Sequence, residues 1–380
     1  MKKRILSVII SLTMIIPSLV FCVSADEPFA IDAKSAILME ADSGTILFEQ
    51  NADEALPPAS VTKIMTLLLV MEAIDNGTLK LDDMIRTSTN ASSMGGSQVY
   101  LKEGEEMSAE DMIKSVVISS ANDAAVALAE HIAGSEELFV TKMNEKAKEL
   151  GMKNTNFENT NGLDDTAEKH VISARDIAIM SRELIGHKKI LEYSSIWMDS
   201  IRDGAFGLTN TNRLIRFYKG ANGLKTGSTS KAGFCISATA ERDGMTLIAV
   251  VMGSPTRDIR NAETTKLLDF GFANYALYRC EGKSLGNIKV LGGVRDFCEI
   301  SHSAFSSVVK SSELEKIQTE VDIPENIKAP VKKGDKIGCI KVLMGETEIG
   351  QIDVICDSEV EKISFFGVFE QIFKNFCLIR

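Results

Sequence analysis

The chain has 380 residues, 44% hydrophobic and 25% charged, ordinary values for globular protein that allow two or three domains and argue against long disorder. Its formal net charge is −11, and so acidic a body is a poor partner for nucleic acid. Seven cysteines form no C-x-x-C, and His131, His170, His187 and His302 form no H-E-x-x-H, so no metal site, redox pair or cofactor is expected.

At the N-terminus Lys2, Lys3 and Arg4 precede the apolar run "ILSVIISLTMIIPSLVFCVSA", with small Val23 and Ala25 at −3 and −1 of a cleavage point before Asp26. Residues 1–25 are expected to be an export signal, with an uncleaved anchor as the alternative because the run is long. Phe21 is too bulky to precede a lipidated Cys22. Cleavage removes three positive charges and no negative ones, leaving 39 Lys+Arg against 53 Asp+Glu, a net −14. The pairing of Cys235, Cys280, Cys298, Cys339, Cys356 and Cys377 stays open.

Next, "SAILMEADSGTILFEQNADE" predicts a hairpin turning at Asp42-Ser43-Gly44. "LPPASVTKIMTLLLVMEAIDNG" predicts a buried helix started by Pro57 and Pro58. Two further helices open on capping boxes, Ser108 to Asp111 and Ser173 to Asp176. Beyond Lys225, "GFCISATAERDGMTLIAVVMG" pairs two strands across Asp243-Gly244, and "NAETTKLLDFGFANYAL" predicts a closing helix near residue 278. Strands at both ends with helices between imply an α+β domain, an antiparallel sheet with a helical insertion, over 26–278. Residues 283–357 read as a small all-β domain. The tail, 358–380, sets Phe366, Phe369, Phe373 and Phe376 at helical spacing opposite Gln371, Lys374 and Asn375. Too short and too charged to span a bilayer, it is expected to lie in the membrane interface; packing on its own protein is the alternative.

Ser60 and Lys63 share a helix face. A serine hydroxyl attacks only when a base removes its proton, and lysine is that base only if burial and a second cation lower its pKa. S-x-x-K also occurs at Ser228 to Lys231 and at Ser307 to Lys310, so the spacing alone carries little. Order and company carry more: Ser120-Ala121-Asn122 lies in an apolar helical setting, unlike the decoy Ser88-Thr89-Asn90, and Lys225-Thr226-Gly227 is the only K-T-G.

Those three elements in that order resemble penicillin-binding proteins and class A β-lactamases. With "GSQVYLKEGE", "NTNGLDD", "HVISARDIA" and "VMGSPTRDIRNAE", residues 33–278 resemble the low-molecular-weight penicillin-binding proteins that are D-alanyl-D-alanine carboxypeptidases. The β-domain and tail match that family more loosely. Ala121 stands where many relatives have glycine and β-lactamases aspartate.

The resemblance implies a β-lactamase/transpeptidase-like fold and a serine peptidase that cleaves peptidoglycan stem peptides ending in D-Ala-D-Ala and is acylated by β-lactams; with the export signal, it is expected at the outer face of the cytoplasmic membrane or secreted. Ser60 would be the nucleophile, Lys63 its base, Ser120 a proton relay, Asn122 an amide binder and Lys225 a source of positive field. Thr226 and Arg260 would bind the terminal carboxylate. The backbone N–H groups of Ser60 and Ser228 would form an oxyanion hole, with Gly227 keeping the approach clear. His170 is read as structural, and Glu158, Asp164 and Asp165 as turn and capping residues. Alternatives are a β-lactamase, whose E-x-x-L-N is absent, an endopeptidase, or a non-catalytic wall-binding protein.

Overall fold

The computed structural model describes residues 29–164 and 168–376, so the expected signal, Asp165 and Cys377 lie outside it. Strand β1 (Ser35–Glu40) is buried along its whole length and turns back into β2 (Ile46–Gln50). Gly44 supplies a φ of +74° at the turn, and the fully buried Glu40 carboxylate accepts from the N–H groups of Asp42 and Ser43 at 3.0 and 2.8 Å. Three long strands follow the helical insertion: β3 (Ala221–Thr229), β4 (Gly233–Arg242) and β5 (Met245–Ser254). The β4–β5 turn places Asp243 and Gly244 at φ +50° and +77°, the left-handed pair that a two-residue type I′ turn needs.

These five strands form one antiparallel sheet in the order β2-β1-β5-β4-β3. Strand β3 is therefore an edge, with one row of backbone groups unpaired by the sheet.

The insertion contributes α1 (Lys63–Asp75), α2 (Ala109–Ile118), α3 (Asn122–Ala133), α4 (Glu136–Glu149) and α5 (Ala174–Gly186). Helix α1 packs against α3 and α5, and its Leu67, Leu68, Val70 and Met71 are buried, each burial contributing roughly 1.5–3 kcal/mol. Ser108 and Ser173 cap α2 and α5 as expected, accepting from Asp111 N–H and Asp176 N–H at 3.1 Å each. Asp176 also ties in the preceding loop, accepting from Asn154 N–H and Thr155 Oγ1.

Helix α6 (Arg257–Asn274) packs across β4 and β5. The closing helix predicted to run through Leu277 stops at Asn274. From Tyr275 the alternation in "YALYRC" belongs to strand β6 (Tyr275–Cys280), paired with Phe305–Lys310; cross-strand pairing overrides the helical pattern there.

The second domain holds β7 (Lys283–Leu291), β8 (Phe297–His302), β9 (Phe305–Lys310), β10 (Ile317–Asp322), β11 (Asn326–Lys328), β12 (Lys336–Met344) and β13 (Thr347–Cys356). Six of these make a sheet in the order β10-β12-β13-β8-β7-β11, over a core of Ile288, Ile300, Val342, Ile352 and Val354. Cys235, Cys280, Cys298, Cys339 and Cys356 are free thiols. Helix α7 (Phe365–Phe376) ends the described chain, with Phe366, Phe369 and Phe373 at 82, 65 and 58% exposure. The side chains of Gln371, Lys374, Asn375 and Phe376 lie outside the described residues.

Candidate active site

Ser60 lies in a 3-10 turn, Ala59–Thr62, that runs directly into α1, so the prolines precede a tighter turn than the α-helix expected. With three residues per turn, positions 60 and 63 eclipse each other. Lys63 Nζ lies 2.9 Å from Ser60 Oγ, and it donates to Asn122 Oδ1 at 2.5 Å and to the Asn161 carbonyl at 2.8 Å. Lys63 has no exposed surface. Burial first, and then the charge of Lys225, hold its pKa well below the ordinary lysine value.

Two of the three partners of Lys63 are carbonyl oxygens, which only accept. A neutral amine satisfies both with its two N–H groups and turns its lone pair to Ser60. The serine hydroxyl then donates to nitrogen, which is the geometry of a base poised on its nucleophile.

Ser120 stands opposite, between α2 and α3, 3% exposed and held at φ +64°. Lys225 Nζ donates to Ser120 Oγ at 2.8 Å and to the Thr226 carbonyl at 2.9 Å. Its pKa is brought down to about 7, by burial first and then by the charge of Arg260. Asn122 starts α3, and its Nδ2 donates to the Gly95 carbonyl at 2.7 Å, which turns Oδ1 toward Lys63.

A cleft of about 640 Å³ opens onto this cluster, lined among others by Ser60, Ser120, Thr211, Thr226, Ser228 and Arg260. Thr226 Oγ1 donates to Thr211 Oγ1 at 2.8 Å. Arg260 is 3% exposed; Asn261 Oδ1 accepts from its Nη2 at 2.8 Å, and the Cys235 carbonyl from its Nη1 at 3.4 Å. Burial, and then neighbouring Arg257, lower its pKa to about 10. A buried guanidinium at the wall of an open cleft favours an anionic ligand.

At Gly227 the structure shows a packing constraint beside the expected one. A Cβ there would stand 2.7 Å from Ser60 N and 2.9 Å from both Pro58 O and Val61 N. The glycine lets the edge strand β3 press against the serine turn.

Behind the turn runs a chain of contacts that the sequence does not advertise. Glu158 N–H donates to His170 Nδ1 at 3.0 Å, leaving Nε2 to carry the proton and donate to Thr62 Oγ1 at 2.8 Å. Thr62 Oγ1 in turn donates to the Ala59 carbonyl at 2.8 Å. Desolvation lowers the His170 pKa to about 4, so the ring is neutral and acts as a strut. Glu158 accepts from Lys169 N–H at 2.9 Å, a turn contact. Gly162 packs so closely that an added Cβ would fall 1.9 Å from the Ala59 carbonyl. Nothing in the sequence marks the Asn161 carbonyl, Thr211 or Gly95 as site groups, and only the family-like "NTNGLDD" contains Asn161 and Gly162.

Residues 21–256 match the family described as D-alanyl-D-alanine carboxypeptidase, peptidase S11, and residues 277–362 match the C-terminal domain of penicillin-binding protein 5. The chain is 44% identical over 344 residues to the D-alanyl-D-alanine carboxypeptidase DacF of Bacillus subtilis (strain 168), covering 88% of each. Its fold is similar to penicillin-binding protein 5 from Haemophilus influenzae, with a TM-score of 0.76 at 31% identity over 88% of this chain and 99% of the other. It is also similar to ampicillin-bound penicillin-binding protein D2 from Listeria monocytogenes, TM-score 0.59 at 35% identity over 64% of this chain and 99% of the other. The chain belongs to the D-alanyl-D-alanine carboxypeptidase family, peptidase S11, and is a hydrolase of that type.

Proposed function

We propose that Ser60 is the nucleophile through which this chain removes the terminal D-alanine from peptidoglycan stem peptides. The observation that carries the assignment is the fully buried Lys63, which spends two contacts on carbonyl acceptors and faces Ser60 Oγ with the third. Neutral Lys63 takes the hydroxyl proton as Ser60 attacks the penultimate D-alanine carbonyl. The Ser60 and Ser228 N–H groups receive the developing oxyanion, and donors fixed in place of this kind contribute several kcal/mol each, on the order of 2.7–4 kcal/mol.

Ser120, hydrogen-bonded to Lys225, relays the proton that Lys63 took from Ser60 to the departing D-alanine amine, which leaves Lys63 neutral again. Asn122 holds the substrate amide, and Thr226 and Arg260 hold the terminal carboxylate. Water then attacks the acyl-enzyme with Lys63 again as base. A β-lactam, with its strained amide beside a carboxylate, acylates Ser60 by the same route. Incubation with diacetylated L-Lys-D-Ala-D-Ala is expected to liberate free D-alanine, and Ser60→Ala to liberate none. Undiminished release by Ser60→Ala would sink the assignment.

We further infer export to the outer face of the cytoplasmic membrane and attachment through α7. Its exposed Phe366, Phe369 and Phe373 support this, and among the described residues no helix is long and apolar enough to cross a membrane. Lying in the interface buries such a face. The β-domain needs the chain as far as Ile363, whose N–H donates to the Gly292 carbonyl at 2.9 Å. Truncation after Ser364 is therefore expected to abolish sedimentation with vesicles and spare peptidase activity; a truncated chain that still pellets contradicts the attachment.

A further inference from the structure

Asp123 follows Asn122 directly and has no exposed surface. Its carboxylate faces the segment at residues 95–101. Oδ2 accepts from Val99 N–H at 3.1 Å and Leu101 N–H at 3.0 Å; Oδ1 accepts from Val99 N–H at 3.2 Å and from Ala124 N–H at 2.9 Å. Each oxygen thus faces two N–H donors, so only an acceptor fits at either position. From the other side, Arg202 Nη1 donates to the Val99 carbonyl at 2.9 Å while its guanidinium pairs with Glu105 at 2.8 Å.

The clamped segment is the one that orients Asn122. The Gly95 carbonyl accepts from Asn122 Nδ2, and the Ser97 carbonyl accepts from Asn122 N–H, both at 2.7 Å. Gly96 is held at φ +72°, where an added Cβ would come within 2.9 Å of Asn122 Nδ2. The amide of Asn122 has two possible orientations, and the Gly95 carbonyl on one side selects the one in which Oδ1 accepts from Lys63 on the other. With Nδ2 committed to Gly95, Oδ1 must face Lys63. Were the segment to relax, the amide would be free to turn and Lys63 would lose an acceptor that keeps its lone pair on Ser60.

We propose that Asp123 is a positioning residue for acylation, acting through the 95–101 segment on Asn122 and through Asn122 on Lys63. The proposal rests on the Ser60–Lys63 reading above and adds to it a residue that touches neither substrate nor the reacting atoms. Its fully buried carboxylate also has an electrostatic consequence. Of charged groups, Lys63 faces Lys225 from β3 and Asp123 from α3; the first disfavours its protonated form and the second favours it.

Asp123→Asn keeps the shape and replaces one acceptor with a donor that confronts two N–H groups. Benzylpenicillin acylation of the full chain, followed by intact mass against time, is expected to slow about tenfold to a hundredfold, less than the roughly 10²- to 10⁴-fold of a base removed outright, because the base is misaligned and still present. The acid limb of its pH profile is expected to move to lower pH, because losing the negative charge makes Lys63 easier to deprotonate. A residue that braced the fold without reaching Lys63 would not shift that limb, and the rate loss measured above the limb reports the positioning separately from the charge. If Asp123→Asn does not fold, Arg202→Gln releases the Val99 carbonyl from the opposite side and is likewise expected to slow acylation, at a melting temperature close to the parent. Acylation at the parent rate with an unmoved pH limb, in the Asp123→Asn protein, overturns the proposal, as does parent-rate acylation by Arg202→Gln where only that variant folds. Failure of the Ser60 reading is distinguishable, since the parent chain itself would then form no Ser60 adduct.

Discussion

The turn at Ser60 and the strand at Ser307 carry the same S-x-x-K spacing and use it in opposite ways. On the 3-10 turn the two side chains stack, and Lys63 is sealed among Ser60, Asn122 and Asn161. On β9, residues three apart point to opposite faces, and Lys310 stands exposed at the strand end. The third pair resembles the second: Ser228 lies near the end of β3 and Lys231 in the exposed turn after it. Spacing brings a base to a nucleophile only on a helical turn, and only burial makes that base neutral. What separates the pairs is the desolvation that a second buried cation, Lys225, reinforces.

The comparison can be broken most decisively at Ser60. Ser60→Ala is expected to remove the penicillin adduct entirely, whereas Ser307→Ala and Ser228→Ala should retain an adduct that peptide mapping places on Ser60. Lys63→Ala should slow acylation by about 10²- to 10⁴-fold, the usual contribution of a positioned base, against no change for Lys310→Ala in the same assay. A measurable penalty at Lys310 would mean that spacing matters apart from burial. Arg260→Ala removes a charge-assisted contact of about 1.5–3 kcal/mol, so kcat/KM on the D-Ala-D-Ala peptide should fall about tenfold to a hundredfold; unchanged peptide kinetics would remove it from the site. Smallest is Gly227→Ala, where the added Cβ meets backbone at 2.7 and 2.9 Å. Overpacking of this kind costs about 1–3 kcal/mol, visible as a lower melting temperature together with slower acylation. A fully stable and fully active Gly227→Ala would show that the strand and the serine turn are not pressed together.

How much of this could be read beforehand depended on whether side chains or backbone did the work. Ser60, Lys63, Ser120, Asn122 and Lys225 were legible because their chemistry resides in residue type and order, and the structure gathers them in one cluster. The turns at Gly44 and Gly244 were legible because their conformations need particular residues. The Asn161 carbonyl was not, since every residue has one and nothing in the sequence marks which carbonyl faces a lysine. Gly227 is legible only in part: an absent side chain shows that space is short without naming the neighbour, here the backbone of Pro58, Ser60 and Val61. Tyr275–Leu277 reads as helix because a short apolar run fits helix and strand alike, and its partner strand lies some thirty residues away.

The central claim is that Lys63 is uncharged in the resting enzyme, and titration of its side chain addresses it most directly. Lysine-selective ¹³Cε labelling, with the Lys63 signal assigned by its loss in Lys63→Arg, follows that single group by NMR as pH is varied. The folded protein is expected to show Lys63 titrating well below the ordinary lysine value of 10.5, already neutral at pH values where an ordinary exposed lysine remains charged. A Lys63 resonance that stays protonated until the exposed lysines lose their protons would contradict the claim, because Ser60 would then face a donor where the mechanism requires a base.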